Sequence, residues 1–303
     1  MHDRTLALPC ADPMAPHLLA AASFLGRYSN PHTRAGYASD LRIFFAWALG
    51  NGMDPLTVRR VHVQLFVRYL ETIRGYRPSG IERTIVAVRG YFETALLDEI
   101  VDRNPTKGVV IPRVVNDPTS KVHLTRHEFA DLITAARAHS PAAWALVHLL
   151  GTVGMRVSEA CAIDLRDITT RQGWPVVRVV QKGGKPMWKA IPVPIVEAID
   201  AARAGRDEGA LLVRRDGSRM TRRSAGYRLE RLGLAAGLTK HLHPHALRRT
   251  HITMALQDGL DVRIVQASVG HADPRTTLLY DAIGVEPHNQ SSHRIAAIVT
   301  SAA

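Results

Sequence analysis

TVGMRVSE, at residues 152–159, is the stretch of sequence on which the fold assignment depends. Arg156 and Glu159 are three positions apart in it, so a helix places both side chains on one face. A pair with this spacing is common on helix surfaces, and taken alone it predicts only a local ion pair. What it means for function depends on the motifs that follow it in the chain.

A second stretch, HALRRT at residues 245–250, presents another arginine in a helical setting. His245 and Arg248 are one helical turn apart, directly after Pro244, and proline is favoured at the first position of a helix. Without this spacing, nothing distinguishes His245 from the neighbouring histidines. The spacing predicts that His245 and Arg248 face the same side of a helix near its N-terminus.

Three further polar residues, each at a predicted turn or helix end, extend the pattern. His271 follows the predicted end of a helix, and Tyr280 is nine residues further on. Upstream, Lys182 lies in the sequence QKGGKP between two β-rich runs, which predicts the tip of a hairpin. Taken singly, Tyr280 predicts a half-buried core residue, His271 a loop or cap residue and Lys182 a solvated turn residue. Lys185 and Lys189 are the alternatives to Lys182 in the same hairpin.

The first hundred residues are predicted to be helical. Asn30-Pro31 forms an N-cap with proline at the first helical position, and apolar residues then recur every three or four positions. From Asn104 to Val122 this periodicity stops, and three prolines exclude a helix. We therefore predict a helical domain at residues 1–104, a linker at residues 105–122 and a second domain at residues 123–303.

The second domain is predicted to combine helices with a small sheet. Thr125 and Glu128 form a capping-box pattern at the start of a helix. Val176–Val180 and Trp188–Val193 are β-rich runs that are predicted to pair as a hairpin, and helices resume from about Pro194. The predicted fold class is therefore mainly α with a small β-sheet.

The chain carries a strong positive charge, with a formal net charge of +12 over 303 residues. Ten lysines and arginines lie between residues 214 and 249, against two acidic residues. A solvated face would account for this cluster, but a surface that follows nucleic-acid phosphates is the more specific interpretation, because phosphate contacts release counterions. Charge alone does not distinguish DNA from RNA.

Composition and cysteine usage exclude several classes of protein. Cys10 and Cys161 lie in different segments and cannot form a disulfide framework. The longest weakly polar stretch, residues 141–155, is too short for a membrane span. No basic region followed by an apolar run opens the chain, so we expect no secretory signal and a cytoplasmic location. No histidines have metal-ligand spacing, and neither a metal nor another cofactor is predicted.

Taken together and in order, the motifs at residues 152–159, 245–250 and 269–280 resemble those of the tyrosine recombinase (phage integrase) family. The resemblance covers the whole chain, because the family also places a helical core-binding domain, of SAM-like fold, before a mixed α/β catalytic domain. Two positions depart from the family's pattern: Arg249 stands where many relatives carry histidine, and His251 where an aromatic residue is common. These departures affect packing or phosphate contacts and leave the frame of the nucleophile intact.

The resemblance implies a site-specific DNA recombinase that cleaves through a 3′-phosphotyrosyl intermediate and leaves a free 5′-hydroxyl. Tyr280 would be the nucleophile, and Lys182 would protonate the departing 5′-oxygen. The positive end of a helix disfavours the cationic form of His245, so the neutral ring is expected to accept the tyrosine proton. Arginines can bind two nonbridging phosphate oxygens at once, and Glu159 would orient Arg156. The expected catalytic residues are Arg156, Lys182, His245, Arg248, His271 and Tyr280.

Double-stranded DNA is the expected partner, and the family acts as a homotetramer on two paired sites. The length resembles that of compact Xer-like recombinases, and the target site, the biological role and accessory proteins stay open. The apolar residues 295–299 are predicted to dock on a neighbouring subunit. The alternatives are a type IB topoisomerase and a catalytically silent DNA-binding accessory protein. The arginines expected to contact DNA are Arg214, Arg215, Arg219, Arg222, Arg223 and Arg249.

Overall fold

A computed structural model describes residues 15–114, 122–181 and 184–270 of the chain. The chain divides into two compact units, Met1–Asn116 and Asp117–Ala303. Among the described residues, no helix is long and apolar enough to cross a membrane.

The first unit contains, over its described residues, four helices packed around an aromatic core. Asn30 caps the second helix as predicted, since its side chain accepts a hydrogen bond from the backbone N–H of His32 (2.9 Å). Phe44 is buried with its ring edge-on to Phe66 and Phe92, and burial of each ring stabilises the fold by about 2 kcal/mol. The helices are α1 (Pro16–Gly26), α2 (Pro31–Gly50), α3 (Arg60–Thr72) and α4 (Pro78–Leu97).

The first part of the predicted linker packs against the first unit. Thr106 donates its backbone N–H and its hydroxyl to Oδ1 of Asn104 (2.9 and 2.7 Å). The side chain of Gln64 pairs with the backbone of Val110 in both directions, at 2.9 Å each. Side-chain hydrogen bonds therefore hold this segment in place without a helix. Residues 115–121 lie outside the described part of the chain.

The second unit combines helices with a three-stranded antiparallel sheet of strand order β1-β2-β3, which confirms the predicted fold class. Thr125 caps the first of these helices, and Glu128 completes the capping box as predicted. The first strand was not predicted, because its four residues are mostly exposed and carry little pattern. The third strand ends at Ala190, before Pro192 and the next helix, so the predicted run to residue 193 was too long.

The strands are β1 (Ile168–Arg171), β2 (Trp174–Val180) and β3 (Pro186–Ala190). The helices are α5 (Arg126–His139), α6 (Pro141–Gly151), α7 (Val157–Ala162), α8 (Val193–Arg203), α9 (Arg222–Ala235), α10 (Pro244–Gln257) and α11 (Val262–Val269). A single 3-10 turn, Leu165–Asp167, precedes β1.

Helix α6 is the central helix of the second unit and determines where the candidate site forms. All its residues from Ala143 to Gly151 are buried, and it packs against α5, α8 and α10. A Cβ atom at Gly151 would lie 2.4 Å from the ring of Phe129, so only glycine allows α5 and α6 to approach this closely. The helix ends there, and the turn that follows leads to Arg156.

Candidate active site

Arg156 stands at the N-cap of α7 and is held by Glu159 of the same short helix. The backbone N–H of Arg156 donates to Oε2 of Glu159 (2.9 Å), and its Nη1 donates to Oε1 (2.7 Å). The Glu159 side chain is only 3% exposed, whereas that of Arg156 is 34% exposed. The predicted pairing is therefore present, although Arg156 precedes the helix instead of lying within it. The carboxylate orients a guanidinium that keeps part of its surface open.

Arg248 connects α10 to two other segments of the second unit. It is 1% exposed; its Nη1 donates to the carbonyl of Gly154 (2.6 Å) and its Nη2 to the carbonyl of Val269 (2.8 Å). These bonds join the turn after α6 to the end of α11. A buried guanidinium is tolerated only when its N–H donors have hydrogen-bond acceptors. For Arg248, two of these acceptors are backbone carbonyls.

The end of α11 accepts hydrogen bonds from cations of three different elements. Nη2 of Arg156 donates to the carbonyl of Gly270 (3.1 Å), Nη2 of Arg248 donates to that of Val269, and Nζ of Lys189 donates to that of Ser268 (2.6 Å). The last carbonyls of a helix have no intrahelical partner and carry the negative end of its dipole. Gly270 itself adopts φ +70, as predicted for a residue that ends a helix.

His245 lies in the first turn of α10, directly after Pro244. Its side chain keeps an exposed surface, yet desolvation by the surrounding protein, together with the charges of Arg249, Arg248 and Arg156, lowers the pKa of the imidazole to about 4. The neutral ring is thus the favoured form at physiological pH, and desolvation and neighbouring arginines, instead of the helix end invoked from the sequence, are the causes. A neutral imidazole can accept a proton from a hydroxyl group.

The comparisons with known proteins agree with this geometry. A family model described as the phage integrase family matches residues 122–285. The tyrosine recombinase XerD of Pseudomonas putida is 30% identical over 271 residues, covering 86% of this chain and 89% of that protein. The tyrosine recombinase XerC of Pelobacter propionicus is 30% identical over 268 residues, covering 86% and 87% respectively. The chain belongs to the phage integrase family. It is a tyrosine-type site-specific DNA recombinase.

Solved structures share the fold of this recombinase. The XerH site-specific recombinase in a post-cleavage complex with its difH substrate matches with a TM-score of 0.68 and 17% identity, covering 91% of this chain and 88% of that one. A lambda integrase tetramer bound to a Holliday junction matches with a TM-score of 0.71 and 14% identity, covering 88% and 76%.

The structure brings four of the predicted site residues together: Arg156, Glu159, His245 and Arg248. Lys182, His271 and Tyr280 lie outside the described residues, and their roles stay predictions.

Sequence reasoning missed Lys189, the third cation at the end of α11. Its side chain is 4% exposed on the buried face of β3, opposite Val177 of β2. Burial lowers its pKa to about 8; the charges of Arg248 and Arg156 lower it too, and that of Glu159 raises it. The signal that could have identified Lys189 is the alternation of side chains along β3. This alternation places a lysine at a buried position, where an apolar residue is expected.

The six arginines predicted to contact DNA occupy different settings. Arg219 forms an ion pair with Asp164 and donates to the carbonyls of Cys161 (3.1 Å) and Ile163 (3.3 Å), which indicates a structural role. Arg249 is partly buried beside His245. The other four are exposed, as Arg219 also is, with two in the loop before α9 and two at its start: Arg214, Arg215, Arg222 and Arg223. Contact with DNA stays a prediction for all six.

Proposed function

We propose that the recombinase cleaves DNA with Tyr280, through a covalent 3′-phosphotyrosyl intermediate. One observation carries the assignment: Arg156, at the N-cap of α7, and Arg248, within α10, converge on the end of α11. His271 is the next residue after that end, and Tyr280 follows nine residues later. The two arginines therefore bind the last described residues before the sequence that carries the proposed nucleophile.

The proposed reaction is an in-line displacement at phosphorus. The hydroxyl oxygen of Tyr280 attacks the scissile phosphorus, the bond from phosphorus to the 5′-oxygen breaks, and a phosphotyrosyl bond replaces it. His245 accepts the tyrosine proton, and Lys182 donates a proton to the departing 5′-oxygen. The phosphotyrosyl bond conserves the energy of the broken bond, so a 5′-hydroxyl can reverse the step on another strand.

Arg156, Arg248 and His271 stabilise the charge that develops on the nonbridging oxygens. Preorganised donors in a partly buried site act strongly on such charge, because they need little reorganisation during the reaction. Glu159 contributes by holding Arg156 in one orientation (2.7 Å). Both arginines have fork-shaped donor groups that suit two phosphate oxygens.

Double-stranded DNA is the proposed partner, bound by a homotetramer on two paired sites in the cytoplasm. Two observations support this assembly: strand exchange requires four cleavages, and a related structure is a lambda integrase tetramer on a Holliday junction. Within this proposal, residues 295–299 dock on a neighbouring subunit. Removing residues 295–303 would then leave DNA binding intact and abolish recombination; normal recombination by the truncated protein would contradict the docking.

The test is a covalent-capture experiment on a selected DNA site. Bound sequences are enriched from a random DNA pool, and a nicked suicide substrate is built from the enriched site. We expect a covalent protein–DNA adduct from the wild type and none from Tyr280→Phe, with equal DNA binding by both. Absence of an adduct from the wild type on its own site would contradict the proposal and favour a silent accessory protein.

A second arm separates recombination from a topoisomerase reaction. The protein is given two different duplexes that carry the selected site, and separately a supercoiled plasmid. We expect joined products that contain strands of both duplexes. Relaxation of the plasmid without joining would favour the topoisomerase, although the relatives reported above are recombinases and integrases.

A further inference from the structure

Three neighbouring carbonyls at the end of α11 are bound by three cations, and only two of these belong to the predicted catalytic set. Ser268 accepts from Lys189, Val269 from Arg248 and Gly270 from Arg156, at 2.6, 2.8 and 3.1 Å. The cations come from β3, α10 and the N-cap of α7. The end of α11 is therefore a point where all three elements meet.

Lys189 is costly to keep at this position. It is 4% exposed, and a buried ammonium group is unfavourable unless it is paired and hydrogen-bonded. Arg156 and Arg248 add like charge around it, and Glu159 is the acidic group that acts on it. An apolar side chain of similar length would fill the same space without this cost, so the stability of the fold does not account for a lysine here.

The position of Lys189 distinguishes it from a residue that donates a proton to DNA. Its Nζ is bound to the carbonyl of Ser268, on the face of β3 that points into the protein. Lys182, by contrast, stands in the sequence between β2 and β3 and lies outside the described residues. Lys189 thus contacts the backbone three residues before His271.

We propose that Lys189 is a positioning residue of the recombination site: it anchors the end of α11 and so sets where the chain continues to His271 and Tyr280. The proposal rests on the proposed function of those two residues. A guanidinium has five N–H donors, so Arg156, whose side chain is 34% exposed, can direct a donor toward a phosphate. Lys189 keeps the last turn of α11 in place for this contact.

The first test compares Lys189→Met with Lys189→Arg in single-turnover cleavage of the suicide substrate. Misplacement of a reacting group by about 1 Å costs up to about a hundred-fold in rate. We expect adduct formation by Lys189→Met to be at least about ten-fold slower at saturating DNA, with the Kd for DNA changed less than about two-fold. Lys189→Arg keeps a cationic donor and should recover most of the rate. Wild-type cleavage by folded Lys189→Met would overturn the proposal.

The second test distinguishes positioning from proton donation. In a substrate with sulfur in place of the bridging 5′-oxygen, the leaving thiolate needs no proton. We expect this substrate to restore cleavage by Lys182→Ala and to leave Lys189→Met slow. Restoration of Lys189→Met would show that Lys189 is the proton donor and would overturn the positioning role.

The third test needs neither DNA nor activity, so it distinguishes failure of this proposal from failure of the proposed function. Amide hydrogen exchange reports how often a helix end opens. We expect the amides of residues 266–270 to exchange faster in Lys189→Met than in the wild type or in Lys189→Arg. Lys185→Met removes an exposed lysine from the same hairpin and is the matched control, with unchanged exchange at α11.

Unchanged exchange in Lys189→Met would contradict the anchor even if the wild type cleaves DNA. Faster exchange, together with a wild type that forms no adduct, would leave the anchor supported and the proposed function contradicted. If Lys189→Met fails to fold, the same measurements are made on Lys189→Gln, which keeps a shorter neutral donor. Wild-type exchange and cleavage by Lys189→Gln would overturn the proposal.

Discussion

At some positions in the second unit, the neighbouring atoms restrict which amino acid can be present. Gly154 has φ +70, a conformation that side chains other than glycine rarely adopt, and its carbonyl accepts from Arg248. A Cβ atom at this position would lie 2.6 Å from Cδ2 of His251. Gly154, His251 and Arg248 therefore contact one another, and these contacts hold the turn that carries Arg156.

We predict that Gly154→Ala lowers the free energy of unfolding by about 3 kcal/mol, from backbone strain and from the contact with His251. In a His251→Ala background the same change should cost only the backbone part, about 1 kcal/mol. Chemical denaturation of the wild type, the two single variants and the double variant gives the coupling energy between positions 154 and 251. Gly173→Ala is the control, because Gly173 has φ +80 with no atom near the added Cβ. Equal costs in both backgrounds would exclude the contact with His251.

His251 should make stability depend on pH. Burial and, to a smaller extent, the charge of Lys189 lower its pKa to about 4. The unfolded chain binds a proton near the ordinary histidine pKa of about 6.5, so the folded state loses stability as the pH falls from about 6.5 towards 4. We predict that the wild type loses about 2 kcal/mol more than His251→Phe between pH 7 and pH 5. Urea unfolding at both pH values checks this, and a difference that does not change with pH would contradict it.

At the scale of secondary-structure elements, the site depends on where helices start and end. Arg156 precedes α7, His245 lies in the first turn of α10, and α11 ends at Val269. Helix termini leave backbone groups without intrahelical partners, and these groups are what the side chains of the site bind. The capping box of α7 therefore has two effects: it starts the helix and orients Arg156.

We predict that Glu159→Gln lowers the free energy of unfolding by about 2 kcal/mol and slows DNA cleavage at least ten-fold, with little change in DNA affinity. Glutamine can still accept the N–H of Arg156, but it leaves the charges of Arg156 and Lys189 without a nearby carboxylate. Glu128→Gln is the matched control, because Glu128 caps α5 in the same way and pairs with Lys240 (2.7 Å). The control should lose stability but not cleavage; equal loss of cleavage by both variants would contradict a specific role for Glu159.

At the scale of the whole molecule, the basic residues that give the net charge of +12 occupy different structural settings. Arg219 is tied to Asp164 and to two carbonyls, Arg223 is exposed at the start of α9, and Arg248 is buried in the site. An arginine that is bonded within the protein, as Arg219 and Arg248 are, would have to break those bonds to contact a DNA phosphate and release counterions. Charge density along the sequence does not distinguish these three settings.

We predict that Arg223→Gln weakens DNA binding and reduces the slope of log Kd against log salt by about 1. Arg219→Gln should leave this slope unchanged and lower the free energy of unfolding, because its partners are within the protein. Arg248→Ala should bind DNA and fail to cleave it. Binding titrations at several salt concentrations check the three variants, and equal slopes for Arg223→Gln and the wild type would exclude a phosphate contact.

The local sequence pattern was sufficient to predict most of the helices, and also the pairing of Arg156 with Glu159. Caps, prolines and three-to-four-residue periodicity are interactions between near neighbours, so the sequence records them directly. The strand β1 and the packed segment after Asn104 were not predicted, because they are held by pairing and by hydrogen bonds to residues far away in the chain.

By itself, the sequence determined the order of the motifs, the helical caps, the family and the neutral state expected for His245. Only the tertiary structure decided which carbonyls accept hydrogen bonds from Arg156 and Arg248, that Arg219 of the basic cluster is bonded to Asp164 and two carbonyls, and that Lys189 contacts the end of α11. Lys189 and Ser268 are 79 residues apart, and no periodicity within either element encodes their contact. The fold of the second unit brings β3 next to the end of α11 and so creates that contact, which buries a charged group at an energetic cost.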